Sequence, residues 1–411
     1  MKNIVFIGQV TDISGYGNAA RSYLRTLLNL HKFGSINLKI INFSYENVEV
    51  SLNSEISNLL VNERDYISLL AQDYELIFFL TNNTMLAGNE TKSVIITNSD
   101  KKTYINPYLL CKNAKKIYPC VVWETDKVPT LNFQAYKLFN DKIECLLCAC
   151  KWNQQVFSRQ TKLKTIVIPY AKEESNLLDP EFTEKIKQIK KDRFTFVSLS
   201  QWSYRKGFDK LIKAFLLEFR DEPVNLILKT YINRSFYDSD ETRVVSQKIE
   251  NEKNKLSFDG KPYNGKCSLI VINSLLDKKQ INSLYEVSDC MVTCTRGEGF
   301  GLPIAEFISF KKPVIVPDKG GHLDFCSEDN FFIDSSFEPF ENCPNHFYSS
   351  DMNLVEVSLS STMKKMREAF QLYKDNKEMY FLRGKKSSNF ASDYLCLDYN
   401  INAFKSVLEL K

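Results

Sequence analysis

A chain of 411 residues is longer than one hydrophobic core usually supports, so two domains are expected. Hydrophobic residues at 44% and charged residues at 25% fit a soluble globular protein and exclude a disordered, collagen-like or coiled-coil chain. Lys plus Arg number 54 against 50 Asp plus Glu; a formal charge of +4 is too small to imply a nucleic-acid partner, though it suits a weak basic patch facing an anionic ligand or a membrane surface.

The pattern alternates short apolar runs with amphipathic stretches. In the first half, strands are predicted at Asn3–Ile7, Leu38–Phe43, Leu76–Leu80, Ile117–Trp123, Glu144–Cys150 and Thr165–Pro169. Helices are predicted between them at Asn18–Lys32, Pro129–Phe139 and Asn153–Ser158. A break falls near Glu173–Pro180, followed by a charged helix at Thr183–Lys191. The second half repeats the scheme, with strands at Phe194–Ser200, Val224–Thr230, Ser268–Asn273, Cys290–Thr295 and Pro313–Val316. Its helices are predicted at Lys206–Phe219, Asp240–Asn254, Lys278–Val287 and Pro303–Phe310. From about Asn353 the chain reads as helical with no further strand, ending in a helix at Leu397–Leu410.

Such alternation implies an α/β protein with parallel sheets covered on both faces. Two doubly wound domains are expected, 1–175 and 176–391, with residues 392–411 crossing back onto the first. Ligands of such sheets bind at the carboxyl ends of the strands, here in a cleft between the domains. No apolar run nears the roughly 20 residues of a membrane span. The N-terminal Met1–Gly8 reads as a strand rather than a signal peptide, so a cytoplasmic chain is expected, at most peripheral at the inner membrane face.

Eleven cysteines, an odd number, fit free thiols in a reducing compartment. Cys145, Cys148 and Cys150 lie close enough to raise a metal site, but their apolar run reads better as core. Asp238-Ser239-Asp240 also invites a metal, yet Asp in a polar loop before a helix is a routine N-cap. No metal and no resident cofactor are expected.

Three segments carry chemistry. Gly15-Tyr16-Gly17 precedes the first helix, where glycine amides and the helix N-terminus favour an anion. As a dinucleotide fingerprint it is poor, because the long loop Gln9–Ser14 separates it from Gly8; a loop needing positive φ fits as well. Arg205-Lys206-Gly207-Phe208-Asp209 places two cations at a strand-to-helix turn, suited to a diphosphate or else to solvent. In Arg296-Gly-Glu298-Gly299-Phe300-Gly301-Leu302-Pro303-Ile-Ala-Glu306, a glycine turn opens a helix that Pro favours. Glu298 and Glu306 can then face one crevice and accept hydrogen bonds from sugar or ribose hydroxyls. A capping glutamate plus a solvated one fits the same residues.

The run Glu298–Glu306, followed by Pro313-Val-Ile and Gly320-Gly321, resembles the signature of retaining GT-B glycosyltransferases of family 4. Arg205–Asp209 with Ala214-Phe215 is similar to that family's diphosphate segment, and Gly15-Tyr16-Gly17 to its N-terminal glycine loop. The resemblance implies two Rossmann-like domains facing across a cleft, with the donor held mainly by the second. Arg205 and Lys206 are then to neutralise the diphosphate, and Glu298 to lie near the transferred sugar. The amides of Gly299, Phe300, Gly301 and Leu302 are to contact sugar hydroxyls, Glu306 the ribose, and the region of Asn273 the base. Gln201 stands where many members carry Arg, so Arg205 is the substitute. The His that many members place in the first domain is absent; the matching segment Val121–Pro129 offers Glu124 and Asp126, which with Tyr16 are the acceptor candidates.

The reaction so implied is retaining, metal-independent hexose transfer from a nucleotide-diphosphate sugar to a glycan, glycolipid or other hydroxyl acceptor, as in surface glycan, lipopolysaccharide or polysaccharide synthesis. A transferase acting on protein or modified DNA, and a non-catalytic nucleotide or glycan binder, stay open at this point. Nucleic acid is not indicated as a partner.

Overall fold

The computed structural model describes residues 1–42, 52–79, 94–98, 101–172, 176–232, 241–256, 263–340 and 348–411. They divide into two compact units. The first comprises the described residues of 1–172, 342–352 and 395–411; the second, those of 173–341 and 353–394.

The first unit begins with β1 (Lys2–Gly8), α1 (Gly15–Lys32) and β2 (Ile36–Asn42), followed by α2 (Ser54–Ser57), α3 (Glu63–Leu70) and β3 (Glu75–Phe78). Then come β4 (Val94–Asn98), β5 (Lys101–Ile105), α4 (Pro107–Asn113), β6 (Lys116–Val121), α5 (Thr130–Leu138), β7 (Leu146–Cys148), α6 (Lys151–Gln160) and β8 (Thr165–Val167). Six strands form a parallel sheet in the order β2-β1-β3-β6-β7-β8. Ile4, Val5, Phe6 and Ile7 are all buried, the continuous apolar run of a strand covered on both faces. In α1, Ala20, Tyr23, Leu24, Leu27 and Leu28 are buried at helical spacing, and Ser14 caps its first turn.

The second unit contains α7 (Pro180–Lys190), β9 (Thr195–Gln201), α8 (Phe208–Glu218), β10 (Asn225–Tyr231), α9 (Glu241–Asn254), β11 (Ser268–Ile272), α10 (Lys278–Val287) and β12 (Cys290–Val292). It continues through α11 (Leu302–Ile308), β13 (Val314–Pro317), β14 (Phe331–Ile333), β15 (Ser335–Pro339), β16 (Asn353–Val357), α12 (Leu359–Asp375) and α13 (Lys377–Tyr394). Its parallel sheet runs β11-β10-β9-β12-β13-β14. The order reverses between β9 and β12, the switch point at whose strand carboxyl ends open parallel sheets bind their ligands. The last helix, α14 (Leu397–Val407), packs on α1 in the first unit, with Phe404 edge-on to Tyr23 at 5.4 Å.

Two expectations are corrected. The second sheet gains a sixth strand, β14, whose three residues are too short to show a period. The region from Asn353 is not purely helical: β16 pairs antiparallel with β15, Phe337 opposite Val355. Leu354, Val355 and Val357 are buried, a strand pattern of five residues directly before a 17-residue helix. The β4–β5 hairpin was not foreseen either. The segment Asp238–Asp240 lies outside the described residues.

Candidate functional site

In the second unit, β9 ends at Gln201 and the chain makes a 3-10 turn at Tyr204–Lys206 before α8. Gly207 closes that turn in the left-handed region, at φ 65°. A Cβ there would fall 1.9 Å from the Cys294 carbonyl oxygen, so only glycine lets this turn lie on the chain leaving β12. The two segments are then joined step by step. Arg296 N–H donates to the Arg205 carbonyl at 2.6 Å. The Arg205 guanidinium donates to the Gly297 carbonyl at 2.7 Å. Lys206 Nζ donates to Glu298 Oε2 at 2.5 Å. Arg205, Lys206 and Glu298 therefore meet at the point where the strand order reverses.

Glu298 shows the balance of forces there. Burial alone would push its carboxyl up, but the charges of Lys206 and then Arg205, with the Lys206 hydrogen bond, hold it below the usual carboxylate range. Its carbonyl accepts from Gly321 N–H at 2.7 Å, which folds the Gly320-Gly321 loop against it. Gly301, at φ 95°, sets the entry to α11, and Pro303 occupies that helix's first turn. Gly299 is buried, Leu302 half-buried, and the ring of Phe300 packs on Phe325 at 5.1 Å, so Phe300 can offer a ligand its backbone only.

Glu306, four residues into α11, has different company. Lys278 Nζ donates to its Oε1 at 2.6 Å and Tyr285 Oη to its Oε2 at 3.2 Å, both from α10. Asn273 follows β11, at the edge of the sheet, and is half-buried.

In the first unit, Gly15 and Gly17 are not in a loop needing positive φ. They lie in the first turn of α1, and neither takes positive φ. Gly17 is glycine for a different reason: its Cβ would stand 2.0 Å from the Asp12 carbonyl oxygen. The loop before it is pinned by Arg21, which donates to the carbonyls of Val10 and Asp12 at 2.9 and 2.7 Å. Tyr16, in the same turn, is exposed. Glu124 and Asp126 are half-buried in the loop after β6. Trp123 shapes that loop, its indole N–H donating to Thr125 Oγ1 and the Lys127 carbonyl at 2.7 Å each. Tyr348 packs on Trp123 at 5.6 Å, and Lys127 pairs with Asp351.

Cys145, Cys148 and Cys150 are fully buried, with burial raising the thiols of Cys145 and Cys148. Among the described residues no group of three or more His, Cys, Asp or Glu side chains could hold a metal ion, and no helix is long and apolar enough to cross a membrane.

Sequence reasoning gave no role to Arg296, Lys278, Tyr285 or His322. Arg296 is 2% exposed and bound to Asp209 and Glu356. His322 is fully buried behind the glycine turn. Its Nε2–H donates to the Pro317 carbonyl at 2.8 Å, its Nδ1 has no partner, and burial lowers its pKa. Only the adjacency of Arg296 and His322 to the glycine motifs marks them in the sequence.

Two parallel six-stranded sheets of this kind, with the clustered side chains at a switch point, define a GT-B protein built of two Rossmann-like domains. Residues 179–339 match the family described as Glycosyl transferases group 1. No curated protein sequence matches the chain. Among solved structures it is similar to HepE of Anabaena in complex with UDP-glucose, at 14% identity and TM-score 0.62 over 100% of both chains. It is also similar to a glycosyltransferase of Rickettsia africae, at 14% identity and TM-score 0.63 over 99% of each chain. Sucrose-phosphate synthase of Thermosynechococcus elongatus is similar at 10% identity and TM-score 0.64, over 100% of this chain and 98% of that one. At such identities the likeness concerns the fold.

Proposed function

We propose that the protein is a retaining glycosyltransferase that moves a hexose-type sugar from a nucleotide-diphosphate sugar to an acceptor hydroxyl, without a metal ion, in the synthesis of a surface glycan, lipopolysaccharide or polysaccharide. The observation that carries this reading is the meeting of Lys206, Arg205 and Glu298 at the switch point of the second sheet. The UDP-glucose complex of HepE favours a hexose donor.

In the reaction, the bond from the anomeric carbon to the diphosphate oxygen breaks and negative charge grows on the diphosphate. Lys206 and Arg205 stabilise that charge, which is the electrostatic part of catalysis. An ammonium carries three donors, so the single bond to Glu298 does not by itself exhaust Lys206. Retention lets the departing phosphate oxygen accept the acceptor's proton as the new glycosidic bond forms on the same face, so no protein base is needed. Glu298 meets the hydroxyls of the transferred sugar, Glu306 those of the ribose, and Asn273 lies toward the base. Gly15, Tyr16, Gly17, Glu124 and Asp126 are the residues of the first unit assigned to phosphate and acceptor.

The test is a panel of nucleotide sugars scored by thermal shift and by slow hydrolysis without acceptor. One or more UDP- or GDP-hexoses should stabilise the protein and be hydrolysed slowly. A panel in which no nucleotide sugar shifts the melting temperature would overturn the reading.

A further inference from the structure

We infer that Arg296 is a positioning residue that locks the turn carrying Lys206 to the loop carrying Glu298, and so sets the geometry of the ion pair. The inference rests on the glycosyltransferase reading for its kinetic consequence, though not for its structural one.

Every N–H of the Arg296 side chain is used. Nη1 donates to the Tyr204 carbonyl and to Asp209 Oδ1, each at 2.8 Å. Nη2 donates to Asp209 Oδ2 at 2.7 Å and to Glu356 Oε1 at 3.4 Å. Nε donates to Glu356 Oε2 at 2.5 Å. A guanidinium has five donors and no acceptor, so none remains for a ligand, and Arg296 acts through its neighbours. Its plane also lies over the Tyr204 ring at 4.1 Å.

These partners come from both sides of the site. Tyr204 begins the turn that holds Arg205 and Lys206, and Asp209 lies in the first turn of α8 just after it. Glu356 lies on β16, and the Arg296 carbonyl accepts from Val355 N–H on the same strand at 2.8 Å. Two residues past Arg296 stands Glu298. The clamp therefore fixes the start of one loop against the start of the other, with the Lys206–Glu298 contact directly beyond it.

Lysine cannot reproduce this. It carries three donors on one atom, and cannot span a carboxylate in two parallel bonds while also reaching a carbonyl and a second carboxylate. Burial would lower the Arg296 pKa, but the bonds to Asp209 and Glu356 raise it above the ordinary value, so the fork stays charged and saturated.

The test is a double-mutant cycle on thermal unfolding of the full chain. Lys206→Met, Glu298→Gln and their combination are measured in the wild-type background and again with Arg296→Lys. The coupling between Lys206 and Glu298 should fall by about half or more when Arg296 is lysine, since contacting pairs couple only while their geometry holds. With UDP-glucose, hydrolysis by Arg296→Lys should lose about tenfold or more in kcat while KM moves less than about threefold, because misplacement acts on the transition state. Arg367→Lys, which breaks the remote ion pairs to Glu218 and Glu222, serves as the control for stability loss alone and should leave both readouts unchanged. If Arg296→Lys does not fold, Asp209→Asn, which keeps the Tyr204 and Glu356 bonds, replaces it with the same expectations. Unchanged coupling overturns the inference whatever the activity. A wild-type protein that hydrolyses no nucleotide sugar overturns the proposed function and leaves the coupling result to decide Arg296.

Discussion

Lys206 Nζ stands 2.5 Å from Glu298 Oε2, with the two side chains 15% and 14% exposed. The Lys206 charge is the largest compensation for the Glu298 carboxylate's loss of water, and the pair joins the loop after β9 to the loop after β12. In such a pair, removing one partner costs more than removing both.

Lys206→Ala is accordingly expected to act twice. Turnover of the nucleotide sugar should fall by about 10²–10³, as when one electrostatic contact to a developing anion is lost. Stability should fall by about 3 kcal/mol, because Glu298 is left charged and poorly hydrated. Lys206→Met with Glu298→Gln should recover most of that stability and none of the activity. Denaturant unfolding and donor hydrolysis read the two effects; wild-type turnover in Lys206→Ala would show that the turn plays no part in catalysis.

The same pair gives stability a pH dependence of definite sign. Glu298 titrates below its unfolded value, near 4.5, and Glu356 and Asp209 are lowered as well: for both, burial opposes the shift, and it is overcome at Asp209 chiefly by Arg296 and at Glu356 by Arg296 together with Lys210. A carboxylate whose folded pKa is depressed contributes stability that is fully present above the unfolded pKa and is lost as pH falls through the folded one. The contribution of these carboxylates should therefore hold from pH 7 to about 5 and drop steeply below about 4. It comes on top of a shallower loss beginning near pH 6.5, where the unfolded chain protonates His322 before the folded one does. Glu298→Gln should start lower at pH 7 and fall less steeply in acid. An acid limb identical to wild type would mean that Glu298 is not held by Lys206 in solution.

The parallel sheets and the glycine–glutamate turn were legible because they follow local rules. Apolar runs such as Ile4–Ile7 have a strand's length, and Gly299, Gly301 and Pro303 show their backbone roles in the chain itself. Arg205, Lys206 and Glu298 were legible as a group only through their order in a recurrent motif. What stayed hidden depends on distant partners. Nothing near Arg296 tells that Glu356, sixty residues on, will bury it. Asn353–Val357 becomes a strand because Ser335–Pro339 lies beside it, and Gly17 is glycine because Asp12 turns back against it, not for its φ.

The two glutamates should separate in a binding experiment. Glu306→Ala is expected to weaken a free nucleoside diphosphate by about tenfold or more, the worth of one hydrogen bond to a charged group. Glu298→Ala should bind the free diphosphate nearly as wild type and lose sugar transfer. Lys278→Ala should share part of the Glu306 effect, because its ammonium orients that carboxylate at 2.6 Å. Calorimetry with UDP and with UDP-glucose distinguishes the variants. Wild-type affinity for UDP in Glu306→Ala would remove it from the ribose.

Nucleoside diphosphates should stabilise the protein equally with and without a chelator. At a hundred times the dissociation constant the gain is about 2.7 kcal/mol. Stabilisation that disappears with chelator and returns with manganese would show that metal-free diphosphate neutralisation is wrong.

Three glycines near the charged segments should respond differently to alanine. Gly15 begins α1, and a Cβ there meets nothing within 4 Å, so Gly15→Ala should be neutral or gain up to about 1 kcal/mol from reduced freedom of the unfolded chain. Gly17→Ala would press a Cβ to 2.0 Å from the Asp12 carbonyl oxygen, a backbone atom that cannot swing aside, and should cost about 3 kcal/mol. Gly207→Ala meets the Cys294 carbonyl at 1.9 Å and adds the left-handed strain of φ 65°, a further cost of about 1–2 kcal/mol. The last substitution should also abolish donor hydrolysis below the melting temperature. To make room, the turn must lift from the chain leaving β12, and Lys206 is carried away from Glu298. Melting curves rank the three variants, and donor hydrolysis at a temperature where all are folded isolates the effect at Gly207. If Gly207→Ala is as stable and as active as Gly15→Ala, the turn is not held against Cys294, and the close joining of the two segments fails with it.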